Sequence, residues 1–412
     1  MSKDEAKIPE PMRSLIVSIE SKIPDLNIKS CYDQEDEEKR GSLSTVENQT
    51  SLNAQDACYG LSKLLFELEV EIFARVSCFQ YWKLNFLNKQ FSQLLQSREI
   101  FRVRQERGLV QPCVFMLSNG ETCWTMFDKD FKNFRQLPKV PSDGCFLYGD
   151  KETISAGTHL IVTGREVERI VVWRYELKIN KWIKDTDMIT PRVMYASARH
   201  GTDAFFPGGI KASDKGNSEV VNVAERYNSD TKTWKAMHVM NKRRKISSGC
   251  FLRGKFYVLG GRDENDVHLT CGESYDEMTD SWKLIPDMLK GMTFMTPQSP
   301  PLIAVVNDSL YLLETWLNEL WVYDIDANAW QNLGVAPVKT NAALGWGVAF
   351  KSLGDMLLVI GGSSAQPWNN TMSVYTCRPS PKMGKIVWEE NKHCCDGVQL
   401  NHFIRNCCVM LA

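Results

Sequence analysis

The sequence predicts a mostly β protein: a β-propeller of six small antiparallel sheets, preceded by a small all-α module and a disordered N-terminal arm. Three observations carry this reading. Aromatic pairs seven residues apart recur at a period near fifty, apolar runs ending in two glycines precede several of them, and residues before about 109 follow a helical rather than a strand-like period.

Residues 1–57 are charged and polar, with DQEDEEKR at 33–40 and a Ser/Thr/Asn/Gln-rich run behind it. Too little apolar surface is present to offset ordering entropy, so a disordered arm is expected. Within it, SLIVSIESKIPDLNI at 14–28 has the apolar content for a short helix or docking segment.

Residues 58–108 change character. Leu64, Leu68, Ile72 and Val76 recur every four residues, and after a break near Ser77–Gln80 the residues Leu84, Leu87, Phe91 and Leu95 repeat the pattern. A third amphipathic piece, SREIFRVRQERG, ends at Gly108, a natural helix stop. Helices this short bury only a small core, and such a module is usually completed by a partner.

The repeat occupies 109–412. Its aromatic pairs are Phe127/Phe134, Tyr175/Trp182, Tyr227/Trp234, Tyr275/Trp282 and Tyr323/Trp330, with Tyr375/Trp388 as a sixth, longer copy. The residues between are turn formers, as in DEMTDS and DIDANA, so each pair is read as a hairpin with one aromatic on each strand. Upstream stand the pairs Gly208-Gly209, Gly260-Gly261 and Gly361-Gly362, while Thr163-Gly164 and Leu313-Glu314 replace them in two units. Glycine tolerates positive φ, so each pair is expected to end a strand in a sharp bend, with a bulky aromatic packed on the bare backbone.

The first unit supplies three strands, QPCVFML, CWTMFD and FRQLP, whereas HFIRNCCVMLA at 402–412 is a strand without a unit. Pairing the two closes a six-bladed ring and removes its free edges. Long connections at 211–224, 287–301 and 363–373 are candidate binding loops.

These residues carry a resemblance. The double glycine with its spaced tyrosine and tryptophan resembles the kelch repeat, and LLFELEVEIFARVS followed by WKLNFLNKQFSQLLQS, directly before such an array, resembles an F-box. The domain order looks most like the plant F-box/kelch-repeat proteins. The resemblance implies an F-box that binds the Skp-family adaptor of a cullin ubiquitin ligase and a propeller that holds a protein substrate. Leu64, Leu68, Glu71, Ile72 and Val76 match the family's leading helix, and Leu84, Leu87, Asn88, Phe91 and Leu95 fall in the second. Leu64-Leu65 stands where the family has Leu-Pro.

Composition narrows the alternatives. With 49 basic and 50 acidic residues the formal charge is −1, which argues against nucleic-acid or anionic-membrane binding. No apolar run reaches about 18 residues and the N-terminus has no secretory h-region, so a cytosolic or nuclear protein is expected. Thirteen cysteines at irregular spacing then read as buried thiols.

Other clusters were weighed against this. His393-Cys394-Cys395, His402 and Cys407-Cys408 suggest a metal, but no CxxC occurs and adjacent strand residues point to opposite faces, so no metal or cofactor is expected. The basic run Lys242-Arg243-Arg244-Lys245 reads as a solvated loop between blades, with nuclear import or an acidic partner as alternatives. No nucleophile, base and orienting group stand at a recognisable spacing. The expected function is therefore a non-catalytic ligase adaptor. Its alternatives are a kelch scaffold without a ligase and a metal-dependent kelch enzyme.

Overall fold

The computed structural model describes residues 66–85, 89–97, 99–212, 218–292, 299–339, 345–364, 372–379, 386–391 and 400–412. The expected arm, the 14–28 stretch, Leu64, Leu65, Leu87, Asn88 and the His393–Cys395 cluster lie outside these residues. The chain divides into two compact units, Met1–Val110 and Gln111–Ala412. Among the described residues no helix is long and apolar enough to cross a membrane.

The first unit is helical at residues 66–75, then at Tyr81–Leu84, Lys89–Gln96 and Glu99–Glu106. The break at Ser77 is a 3-10 turn over Cys78–Gln80, capped by the Ser77 hydroxyl, which accepts from Phe79 N. Gly108, at φ +64°, ends the last helix: its N–H donates to Gln105 O, and Leu109 N–H donates to Arg104 O. Those two bonds satisfy carbonyls that the helix end would otherwise leave open.

Among the described residues the second unit holds seven antiparallel sheets, six of them blades and one a small three-stranded sheet. Blade 1 pairs Ile404–Leu411 with Pro112–Ser118, followed by Thr125–Phe127 and Phe134–Gln136. Blades 2, 4 and 5 each run through four consecutive strands, starting at Lys151–Ala156, Ser248–Leu252 and Leu302–Val306, whereas blade 3 starts at Ala198–His200 and has Ile210–Ala212 and Ser218–Val220 inserted between its second and third strands. Blade 6 starts at Ala349–Leu353, and Val338–Lys339 extends its sheet. The six first strands touch in sequence and the last returns to the first, so they ring a central channel. The C-terminal strand is thus the innermost strand of the first blade, and it makes the sheet that begins the ring also the one that ends it.

The core lies between blades. Ile154, Ile161 and Val172 of blade 2 pack on Ala204, Phe206 and Tyr227 of blade 3, and Phe205 and Ala224 pack in turn on Phe256 and Tyr275 of blade 4. Four hairpin pairs stand directly opposite one another, with ring centroids 5.3, 5.0, 5.1 and 5.0 Å apart from Tyr175/Trp182 to Tyr323/Trp330. Each tryptophan also reaches backward. The indole N–H of Trp182, Trp234, Trp282 and Trp330 donates to Pro138, Thr186, His238 and Met288 O at 2.7, 3.0, 2.7 and 2.7 Å. Every one of these carbonyls belongs to the connection entering the tryptophan's own blade, so the outer strand is stapled to the preceding blade crossing.

The tyrosine hydroxyls close the turns. Tyr175, Tyr275 and Tyr323 donate to Asn180, Asp280 and Asn328 at 2.7, 2.6 and 2.7 Å, and those acceptors sit at φ 53°, 45° and 49°. Asn and Asp tolerate this left-handed conformation better than other non-glycine residues. In blade 3 the same position is Lys232, which has no acceptor, and Tyr227 bonds Asp185 instead.

Several expectations are corrected. Gly361 and Gly362 do not bend: their strand runs on to Ser363, because Val338–Lys339 continues its ladder. The other two glycine pairs do have positive φ, and at Gly209 an aromatic does lie alongside, since an added Cβ would meet Tyr195 Cβ at 3.1 Å. A Cβ at Gly208 would meet Arg244 O at 2.5 Å, and one at Gly261 would meet Lys245 O at 2.5 Å, so backbone carbonyls take the space. Tyr375 faces Glu390 rather than Trp388, since the longer insertion moves the register by two residues. The connection 211–224 is partly sheet, with Ile210–Ala212 paired to Ser218–Val220 and to Arg192–Val193.

Candidate functional site

Two surfaces hold the residues singled out in the sequence. In the helical unit, Val76, Leu84 and Leu95 are buried together with Val70, Phe73, Tyr81, Ile100 and Val103, so they form the unit's own core rather than a surface for a partner. Phe91 packs edge-on against Phe73, with centroids 4.7 Å apart. Arg104 ties this core together, donating to Ala74 O at 2.6 Å, Val76 O at 3.1 Å and Leu109 O at 2.8 Å.

What remains outside is apolar. Leu68 is 51% exposed and Phe66 43%, and Ile72, one turn beyond Leu68, is half-buried. Glu71 is held inside the unit by Arg75 at 2.5 Å and Arg107 at 2.8 Å, whose hydrogen bonds keep its carboxyl below the usual range. Within the helical residues 66–75, Leu68 is therefore exposed and Ile72 half-buried beside an ion-paired glutamate.

The propeller carries two internal clamps that sequence reasoning missed. Arg244 and Glu273 are both wholly buried and pair at 2.7 Å; Arg244 also donates to Gly260 O at 2.9 Å, while Glu273 accepts from Asn241 N at 2.7 Å and Lys242 N at 3.0 Å. Blade 3 repeats this with Arg192 and Glu225 at 2.6 Å, Arg192 donating to Gly208 O at 2.7 Å. Arg244 is thus not part of a solvated loop. Only Lys242 and Arg243 of the basic run are exposed, and Lys245 pairs with Asp266 at 3.0 Å. The signal was present: in both blades the arginine lies 16 residues before the first glycine, and the glutamate lies two before the repeat tyrosine. Blades 2 and 5, which lack the glycine pair, have Trp173 and Trp321 at that glutamate position.

At one end of the channel lies a cavity of about 190 Å³, lined among others by Glu152, Tyr195, Ser247, Trp346, Lys351 and Arg405. Glu152 accepts from Met194 N at 3.1 Å, and burial pushes its carboxyl up to about 7 against the pull of Lys351. Tyr195 bonds Thr163, and burial raises its phenol. Arg405 donates to Tyr148 O at 2.8 Å and Gly149 O at 2.6 Å. Cys407 and Cys408 are buried thiols, and burial lifts Cys407 to about 12. Among the described residues no group of three or more His, Cys, Asp or Glu is placed to hold a metal.

The comparisons agree with this architecture. Residues 243–289 match the family model described as the kelch motif. The chain is 59% identical over 394 residues to the F-box/kelch-repeat protein At3g27150 of Arabidopsis thaliana, spanning 95% of this chain and 93% of that one. It is 35% identical to F-box/kelch-repeat protein At1g26930 of the same plant, over 82% and 79% of the two chains. With F-box/kelch-repeat protein SKIP11, also from Arabidopsis thaliana, it shares 37% identity over 71% and 64%. On this similarity, carried through both the helical unit and the propeller, the chain belongs to the F-box/kelch-repeat protein family.

Proposed function

We propose that the protein is the substrate-recognition adaptor of a Skp-cullin-F-box ubiquitin ligase, acting in the cytosol or nucleus. The helical unit binds a Skp-family adaptor, and a face of the propeller holds the protein to be modified. It does no chemistry itself. Holding the target beside the charged ligase raises the effective concentration of the reacting groups, which is a rate gain without a catalytic residue.

The observation that carries this reading is the exposed Leu68, one turn before the half-buried Ile72, on a helix whose other side is buried in the unit's core. A leucine half in water gains about 1–2 kcal/mol when a partner covers it. The test is recovery of a Skp-family adaptor on the tagged full chain, compared with Leu68→Asp/Ile72→Asp. The reading expects recovery with the native chain and loss with the variant, the propeller melting unchanged. Recovery from neither refutes it, and a kelch scaffold without a ligase is then the reading that stands; equal recovery from both refutes Leu68 and Ile72 as the contact.

A further inference from the structure

We propose that the cavity at the end of the propeller channel is a carboxylate-binding site that takes up a proton with its ligand. This site is independent of whether the helices recruit a ligase. Its first support is an orphan. Ser247 lines the cavity, is only 2% exposed, and its Oγ has no hydrogen-bond partner. A buried hydroxyl left unmatched is destabilising, and a bound acceptor would satisfy it.

The second support is charge. Lys351 lines the same space, and its side chain makes no hydrogen bond or ion pair among the described residues. Arg405 contributes one guanidinium nitrogen to Tyr148 O and Gly149 O, and its ion partner Asp150 stands 3.9 Å away, fully in solvent. Lys351 thus acts on one carboxylate, Glu152, whose single described bond is to Met194 N, while Arg405 lines the same cavity. The groups acting on Glu152 are Asp150, Tyr195 and Lys351, with Arg405 on the neighbouring strand.

The protonation follows from the enclosure. Glu152 titrates near 7 because burial opposes its charge, so at neutral pH it is readily protonated. An incoming carboxylate would be repelled by ionised Glu152 but could accept from its protonated form, from Ser247 Oγ and from Lys351 Nζ. One proton is taken from solvent to the Glu152 carboxylate, no bond of the ligand breaks, and the ligand remains an anion. The volume, at about 10–15 Å³ per water, is that of roughly 13 to 19 waters, enough for a small acid or for one acidic side chain reaching in from a partner.

Calorimetric titration of the full chain tests this with acetate and with acetyl-Gly-Asp-Gly-amide, using its Asn counterpart and chloride as controls. Saturable binding of a carboxylate probe at about pH 6 should weaken about tenfold by about pH 8, with net proton uptake at the higher pH. Glu152→Gln should keep binding and abolish the pH dependence. Lys351→Met should weaken binding about tenfold or more. Acetate without peptide binding assigns the site to a free acid; tighter peptide binding assigns it to an acidic side chain of a partner. No saturable binding of either probe, equal binding of the Asn peptide or chloride, or affinity indifferent to pH and to Lys351→Met overturns the proposal. Glu152→Gln is isosteric, so it remains informative if Lys351→Met fails to fold.

Discussion

Replacing Arg244 by methionine asks how the glycine bend of blade 4 is held. Arg244 and Glu273 are wholly buried, so the substitution removes a 2.7 Å ion pair and the donor to Gly260 O, and strands a carboxylate in the interior. Breaking a buried pair this way costs about 3–5 kcal/mol. Glu273 keeps Asn241 N at 2.7 Å, Lys242 N at 3.0 Å and Asn241 Nδ2 at 2.9 Å, which places the cost toward the lower end. Adding Glu273→Gln discharges the stranded group and keeps one oxygen, which serves one of the two backbone amides that now bond separate carboxylate oxygens. The account therefore predicts that Glu273→Gln destabilises the native chain but restores roughly 1–2 kcal/mol in the Arg244→Met background. Urea unfolding followed by tryptophan fluorescence measures all four corners of the cycle. If Glu273→Gln costs the same in both backgrounds, the pair is not a coupled clamp and the reasoning fails.

Other predictions concern the seam and the channel. Truncation before Ile404 removes Val409 and Met410, both buried, and the strand paired with Pro112–Ser118. At about 2 kcal/mol for each buried side chain, with ladder bonds added, this is a large part of the stability of a typical domain, and cooperative melting by circular dichroism should be lost. A sharp native-like melt would contradict the closed ring. For Glu152, a folded value near 7 lies above its ordinary 4.5, so the folded state holds the extra proton between these limits. Stability should fall as pH rises from about 4.5 to about 7, and Glu152→Gln should remove that slope, adding roughly 2 kcal/mol at about pH 8 and nothing at about pH 4. A pH–stability curve that the substitution leaves unchanged counts against the buried carboxylate.

Much of the ring was legible because its signals are local. A tyrosine and a tryptophan seven residues apart must face each other across a short hairpin, and a strand with no unit of its own must pair with the unit one strand short. What was missed is non-local. Arg244 sits in a run of four basic residues and looks solvated, because the glutamate that buries it is 29 residues away. Each tryptophan's indole partner lies 42 to 48 residues upstream, so nothing beside the tryptophan announces it. Gly361-Gly362 reads like its counterparts, yet Val338–Lys339 arrives alongside and straightens the strand. In the helical unit, a period of four identified an apolar stripe but could not divide it. Val76 turned inward and Leu68 outward because the later helices cover only one side.

The most direct test of the adaptor reading is the mass of the full chain mixed with a purified Skp-family adaptor, by size exclusion with light scattering. The account predicts a stable one-to-one complex, 47.0 kDa plus one adaptor. A chain that elutes alone at 47.0 kDa in the presence of excess adaptor would contradict it.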